Sequence, residues 1–172
     1  MAEEIFTAST ENLRDLKKQR KRICALVNRA IREKQDPDLI SLTKMYALLY
    51  SAYVETSFLK LIHTPKAFTE SEIIQIMAER NLEQKWLKCV DLAFNKLNTT
   101  NLGEVANKKQ TLHRLLQEYI IDPSQIRNKV AHGQWVYCLN NECTKVNHDT
   151  TALMLSLIHI SEPMRPRLIS YA

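Results

Sequence analysis

The sequence predicts an all-α protein, and both its composition and its spacing of apolar residues indicate this. Only two glycines and five prolines occur among the 172 residues, so few positions can form the tight turns that β-rich folds need. Apolar residues recur at helical spacing along most of the chain. Hydrophobic residues make up 45% and charged residues 25% of the chain, which is typical of a globular protein with a sizeable core. We therefore expect one helical domain.

Capping residues place the first two helices. Ser9 and Thr10 are good N-caps, and apolar residues follow at helical spacing over about 11–34. Asp36 is predicted to cap the second helix, with Pro37 at its first position, where a missing N–H costs least. This helix should run to about residue 63, because Pro65 follows shortly after it.

Two further capping signals precede the clearest loop of the chain. Thr69 and Glu72 have the spacing of a capping box and open a short helix through about residue 79. Asn81 caps the next helix, over about 82–98. After a loop at 98–103, a helix over about 106–119 should turn four side chains inward, namely Leu112, Leu115, Leu116 and Tyr119.

Two helices and a small β-hairpin are predicted in the last part of the chain. Asp122 and Pro123 repeat the signal of a cap followed by a proline, and Gly133 closes the helix that they open. Asp149 caps a final helix that begins near Thr150. Between these helices, two short strand-like runs flank three polar residues, which predicts a hairpin near 135–147.

The chain is mildly basic, with a net charge of +5 and a pI near 9.0. Such an excess fits attraction to nucleic acid phosphates, although many proteins without that ligand carry as much charge. Basic residues crowd the first half of the first helix, with Lys17 and Lys21 among them. They form either a solvated helix face or a stripe that binds the RNA backbone.

Other patterns predict a cytoplasmic protein without a metal or a cofactor. Two of the first four residues, Glu3 and Glu4, are acidic and no apolar run follows them, so we expect no signal peptide. No apolar stretch reaches the ~20 residues needed to span a bilayer, so we expect no membrane contact. Cys24 and Cys89 fall in helical patterns as small buried residues, whereas Cys138 and Cys143 could approach each other across a turn.

The most informative segment is Ile126–Gly133, which contains Arg127, Asn128 and His132. RNA cleavage without a metal needs a base for the 2′-hydroxyl proton, a cation for the phosphorane charge and a proton for the leaving 5′-oxygen. Histidine changes its charge near neutral pH and can act as base or acid. Arginine binds phosphate oxygens through two parallel hydrogen bonds. Asn128 could orient the histidine or hold the 2′-hydroxyl.

The spacing within this segment also allows a purely structural interpretation. On an ideal helix, Arg127 and His132 lie about 140° apart with a rise of about 7.5 Å, so they do not share one stripe. A histidine in the last helical turn before a glycine interacts well with the helix dipole. An arginine one turn earlier could simply pair with an acidic residue.

Four residues separate Arg127 from His132, and this spacing resembles the R-x4-6-H motif of the HEPN superfamily. The segment Asp122–Trp135 is similar to the motif region of a plasmid-associated bacterial HEPN family, and Leu61–Pro65 and Leu87–Cys89 share the likeness. The resemblance covers about residues 10–150. It implies an up-down helical bundle over residues 1–154 and a homodimer in which two motifs face each other to form one composite site.

The same resemblance implies an activity and partners. HEPN endoribonucleases are metal-independent and leave a 2′,3′-cyclic phosphate, and many act as toxins or in antiviral defence. Transfer RNA or messenger RNA would be the substrate class, with an antitoxin or regulatory protein as a partner. Two other functions stay open: a non-catalytic HEPN module that binds a nucleotide or a protein, and a helical interaction protein whose basic first helix docks on an acidic surface.

Three further residues could support the site. Glu55 lies among apolar residues and could fix Arg127, as an acid on this helix does in several HEPN proteins; a pair with Lys60 or a solvent-facing position is the alternative. Lys129 could bind phosphate or simply be exposed. Trp135 could stack on a base or belong to the core.

The end of the chain has a different resemblance. Leu155–Pro163 is similar to the translated transposon-end adapter used in sequencing libraries, over nine consecutive residues. We therefore expect residues 155–172 to be a non-native tail that stands in place of a further bundle helix.

Overall fold

The computed structural model describes residues 2–97 and 101–159, and in these ranges the protein is all-α, as predicted. The helices are α1 (Ala2–Arg32), α2 (Asp36–Ile62), α3 (Glu70–Met77), α4 (Leu82–Asn95), α5 (Leu102–Leu116), α6 (Asp122–Ala131) and α7 (His148–His159). A π-helical turn, Gln117–Ile121, lies between α5 and α6. Of the predicted non-native tail, residues 160–172 lie outside the described residues, as do residues 98–100 of the predicted loop.

The predicted caps of α1 are wrong, because this helix begins at Ala2 and Ser9 and Thr10 lie inside it. Ser9 is buried, and the Thr10 hydroxyl donates a hydrogen bond to the Phe6 carbonyl oxygen at 2.8 Å. A hydroxyl satisfied by the carbonyl four residues earlier no longer competes with the helix. Glu3 and Glu4 in the first turn also favour the start of a helix, because its end carries partial positive charge.

The capping signals at Thr69 and Asn81 are confirmed. The Thr69 side chain accepts a hydrogen bond from the Glu72 backbone N–H, and the Glu72 carboxylate accepts one from the Thr69 N–H. The Asn81 side chain accepts a hydrogen bond from Gln84 N at 2.9 Å. A third cap was missed: Asn101 accepts from Glu104 N at 3.1 Å, so α5 begins at Leu102 rather than near 106.

The helix that carries the candidate motif continues directly from the π-helical turn, without the predicted break before Asp122. The Asp122 N–H donates to the Gln117 carbonyl oxygen, five residues earlier. Pro123 has no N–H and so cannot donate a helical hydrogen bond. The wider π-helical turn before it accommodates this missing bond. The Ser124 hydroxyl donates to the Ile121 carbonyl oxygen at 2.7 Å and so supplies this acceptor with a hydrogen bond.

The chain divides into two compact units, and α1 and α2 contribute residues to both. Unit 1 holds residues up to Lys17 together with Ser51–Ser124. Its core consists of Phe58, Ile62, Ile76 and Cys89, with six partly buried apolar residues packed against them. Burial raises the pKa of the Cys89 thiol to about 11, so Cys89 stays protonated and acts as a small apolar residue.

Unit 2 holds Lys18–Tyr50 together with the residues from Gln125 onward. Its core consists of Val130, Cys138 and Met154, against which Leu48 and Ile126 pack. The four cysteines are free, and Cys143 is exposed whereas Cys138 is fully buried. Across residues 2–97 and 101–159, every helix is too short or too polar to cross a membrane.

The predicted β-hairpin is smaller than expected. One isolated antiparallel bridge joins Leu139 to Val146. The Asn140 N–H donates to the Lys145 carbonyl oxygen at 2.9 Å, and the Asn140 side chain accepts a hydrogen bond from the Thr144 N–H at 2.9 Å. The turn therefore forms, but the flanking residues do not extend into strands.

Candidate functional site

The candidate motif occupies the C-terminal end of α6, and Gly133 terminates the helix there. Gly133 has a φ of +79°, in the left-handed region. The Gln134 N–H donates to the Lys129 carbonyl oxygen at 2.9 Å, and the Gly133 N–H donates to the Val130 carbonyl oxygen at 3.1 Å. These two bonds form a Schellman motif, in which His132 is the C-cap residue. The sequence prediction that Gly133 closes this helix is confirmed.

Asn128 and His132 lie one helical turn apart and are both exposed. The His132 N–H donates to the Asn128 carbonyl oxygen at 3.0 Å, so helical geometry continues through His132. Arg127 is half-buried and lies about 140° around the helix from His132, as the spacing predicts. Within one chain, helical geometry therefore places Asn128 and His132 on one face of α6 and the backbone position of Arg127 on another.

Three side chains form hydrogen bonds that hold the segment after the motif against the end of α6. Lys129 Nζ donates to the Leu139 carbonyl oxygen at 2.7 Å, and Gln134 Oε1 accepts from the Leu139 N–H at 2.7 Å. Trp135 Nε1 donates to the Val130 carbonyl oxygen at 2.9 Å. Lys129 thus has a structural role that its spacing did not predict, in addition to any contact with phosphate.

A buried cluster packs against the inner side of the helix end that carries the motif. Val130 of α6 packs with Cys138 and Met154, all at most 2% exposed. The Cys138 N–H donates to the Thr151 hydroxyl oxygen at 2.9 Å, which joins the loop to α7. The helix end is therefore held by elements of unit 2 on its inner side, and its polar residues are left on the outer side.

Trp135 is partly exposed and so does not belong to the core, but its indole N–H is hydrogen-bonded. Its side chain is 40% exposed, while the indole N–H is engaged with α6. Lys44 Nζ lies 5.3 Å from the centroid of this ring. Sequence reasoning missed Lys44, although it had a signal: Lys44 is the sole charged residue between Asp38 and Glu55.

The other predicted residues are exposed. Glu55 lies on the solvent side of α2 and accepts a hydrogen bond from the Ser51 hydroxyl at 3.3 Å, which corrects the apolar environment expected for it. The sequence places Glu55 near Tyr53, Val54 and Phe58, and of these Val54 and Phe58 are buried while Glu55 itself is exposed. The pairing of Glu55 with Arg127 stays a prediction. Lys17 and Lys21 are exposed on α1, where both a solvated face and a phosphate-binding stripe would place them.

Substituting Gly133 by alanine should destabilise unit 2 by about 1–2 kcal/mol, because an L-residue is strained at positive φ. An added Cβ would meet no atom within 4 Å, so backbone strain is the whole cost. The reciprocal control is Lys34→Gly at the end of α1, where Lys34 has a φ of +53° and the same bonding pattern. It should stabilise the protein by a few tenths of a kcal/mol to about 1 kcal/mol. Urea unfolding of both variants measures the two effects, and equal signs would contradict this account.

Comparisons with protein-family models, with curated proteins and with solved structures find no match to this chain. The fold and the site together define an all-α protein in which a capped helix end exposes an asparagine and a histidine. Membership of the HEPN superfamily stays a prediction from the motif.

Proposed function

We propose that this protein is a metal-independent endoribonuclease of the HEPN type. The observation that carries the proposal is the placement of His132. His132 is exposed at a capped helix end, and its imidazole forms no side-chain hydrogen bond or ion pair with any residue in 2–97 or 101–159. Asn128 is exposed one turn away from His132. An interaction of the histidine with the helix dipole alone would not require this polar neighbour.

In the proposed reaction, neutral His132 takes the proton of a ribose 2′-hydroxyl. The 2′-oxygen attacks the adjacent phosphorus, and the bond from phosphorus to the 5′-oxygen breaks. A proton from a charged imidazole or from water neutralises the leaving oxygen, which yields a 2′,3′-cyclic phosphate and a 5′-hydroxyl. Arg127 stabilises the negative charge that develops on the phosphorane oxygens.

A second copy of the chain completes the proposed site. Arg127 and His132 of one chain diverge around α6, so one phosphate is served best by Arg127 of one copy and His132 of the other. An antitoxin or regulatory partner and a role in toxicity or antiviral defence belong to this proposal through the motif resemblance alone.

A non-catalytic module that binds a nucleotide or a protein is the second candidate. The Schellman motif favours it, because a histidine at the C-cap interacts well with the partial negative charge of the helix end. This alternative predicts binding without any RNA cleavage.

The proposal is tested by incubating a mixed-sequence RNA with the purified protein in EDTA. We expect cleavage products with 5′-hydroxyl ends, which polynucleotide kinase labels without prior phosphatase treatment. A doubly substituted chain, R127A with H132A, purified in the same way, controls for contaminating nucleases. Cleavage that requires a divalent metal, products with 3′-hydroxyl ends, or equal cleavage by the double variant would each refute the proposal.

A further inference from the structure

Lys44 is a nearly buried cation in an apolar part of α2. It is the one charged residue in the sequence 39–54, and only 8% of its surface remains exposed. The stem of a lysine packs readily against apolar neighbours, but its ammonium group needs water, acceptors or an anion. Over residues 2–97 and 101–159, Lys44 forms no ion pair with an aspartate or a glutamate.

The ammonium of Lys44 lies next to the candidate helix end. Its Nζ atom is 5.3 Å from the centroid of the Trp135 ring. That ring is held to the last turn of α6 by its bond to the Val130 carbonyl oxygen, and Trp135 as a residue is 40% exposed. A cation over an indole ring gains about 0.5–2 kcal/mol, so the contact with Trp135 favours this position of the ammonium.

A cation beside a half-exposed aromatic ring suits a nucleotide. The ammonium can contact a phosphate, and the solvent-facing part of the ring can contact a base or a ribose. Leu48, one turn after Lys44 on α2, packs on the cluster of Val130, Cys138 and Met154, which connects this part of α2 to the end of α6.

We propose that Lys44 is an RNA-binding residue that contacts a backbone phosphate, with Trp135 holding its ammonium at the surface. The choice of RNA over other anions rests on the proposed ribonuclease function. Lys44 would fix the substrate beside the helix end and take no part in proton transfer.

Lys44→Met tests this assignment, because methionine keeps most of the apolar stem and removes the charge. The probe is a fluorescein-labelled, fully 2′-O-methylated RNA of mixed sequence, which cannot be cleaved through its 2′-oxygens. By fluorescence anisotropy, K44M should bind it about 10- to 100-fold more weakly than the parent, as expected for a lost charge-assisted hydrogen bond. The slope of log affinity against log salt should fall by about 0.7, one phosphate contact on a single strand.

Two control variants sharpen the result. Lys145→Met removes one exposed cation from the same unit and should change the affinity less than about twofold, since a dispersed surface charge acts only through screened long-range attraction. Lys44→Arg keeps the charge and should retain most of the affinity. The melting temperature of K44M should stay close to that of the parent, because methionine keeps the apolar stem and the lost cation–ring contact contributes only about 0.5–2 kcal/mol.

Unchanged affinity and salt slope in K44M would overturn the inference, as would an equal loss in K145M. A K44M chain that unfolds would overturn it too, because the charge would then serve the fold. If H132A abolishes cleavage while K44M binds RNA normally, the ribonuclease proposal stands and only the role of Lys44 fails. A parent chain that neither binds nor cleaves RNA would refute both.

Discussion

Replacing His132 by alanine is expected to lower the rate of RNA cleavage by about 10²–10⁴-fold, the usual contribution of a general base or acid. The fold should survive, because the side chain is exposed and the helix is terminated by the backbone bonds around Gly133. We expect the free energy of unfolding to change by less than about 1 kcal/mol, the scale of a charge near a helix end. Initial rates of RNA cleavage in EDTA, with urea unfolding in parallel, measure both quantities.

The matched control is His148→Ala, which removes another exposed histidine of unit 2, at the start of α7. It should cleave RNA at the parental rate. A fall in rate of similar size in both variants would show that exposed histidines act through stability or charge, and His132 would lose its assigned role.

Mixing the single variants R127A and H132A tests the second copy in the proposed site. Each variant alone should be inactive, because each lacks one of the two groups. A mixed dimer regains one site with Arg127 from one chain and His132 from the other, so activity should reappear on mixing. Failure to recover activity, with dimers demonstrated by light scattering, would place both groups in one chain or remove the composite site.

Replacing Phe58 by alanine should destabilise unit 1 by about 3–5 kcal/mol, the usual cost of truncating a buried aromatic side chain. Phe58 is 1% exposed, and its ring lies 5.0 Å from the Trp86 ring between centroids, at an interplanar angle of 55°. The variant loses both the buried apolar area and this tilted aromatic pair, which contributes about 0.5–1.5 kcal/mol of its own. A cavity then remains where α2 packs on α3 and α4.

Urea unfolding monitored by tryptophan fluorescence measures this loss, because Trp86 belongs to the same cluster. The control is Ile74→Ala on α3, whose side chain is 68% exposed and should cost less than about 1 kcal/mol. Comparable losses in the two variants would contradict the core assigned to unit 1.

Much of the secondary structure was predictable, because the signals that set helix ends lie within a few residues of each other. Thr69 and Asn81 cap helices by bonding to N–H groups three residues later, and this needs no partner from elsewhere. The start of α1 was predicted wrongly because serine and threonine occur both as N-caps and inside helices. Inside a helix their hydroxyl can donate to the carbonyl oxygen four residues earlier, as Thr10 does here. Nothing local decides between the two positions.

Some features of the candidate site were likewise predictable from the sequence, and others were not. The spacing of Arg127 and His132 fixed their divergence around α6 as soon as the segment was known to be helical. The contacts of Lys129 and Trp135 could not be predicted, because their acceptors depend on how the chain turns after Gly133. Lys44 stood out as a lone charge in the sequence, but its proximity to Trp135 joins residues that are distant along the chain.

The sequence by itself determined the all-α class, the capping box at Thr69, the N-cap at Asn81 and the left-handed residue at Gly133, since each follows from interactions inside a few residues. Tertiary structure alone decided which apolar side chains are buried. Of the four predicted to face inward on α5 and the π-helical turn, Leu116 is 7% exposed, whereas Leu112, Leu115 and Tyr119 are each about 40% exposed. Helical periodicity defines a face, but burial requires another element to cover it, and that depends on residues far away in the chain.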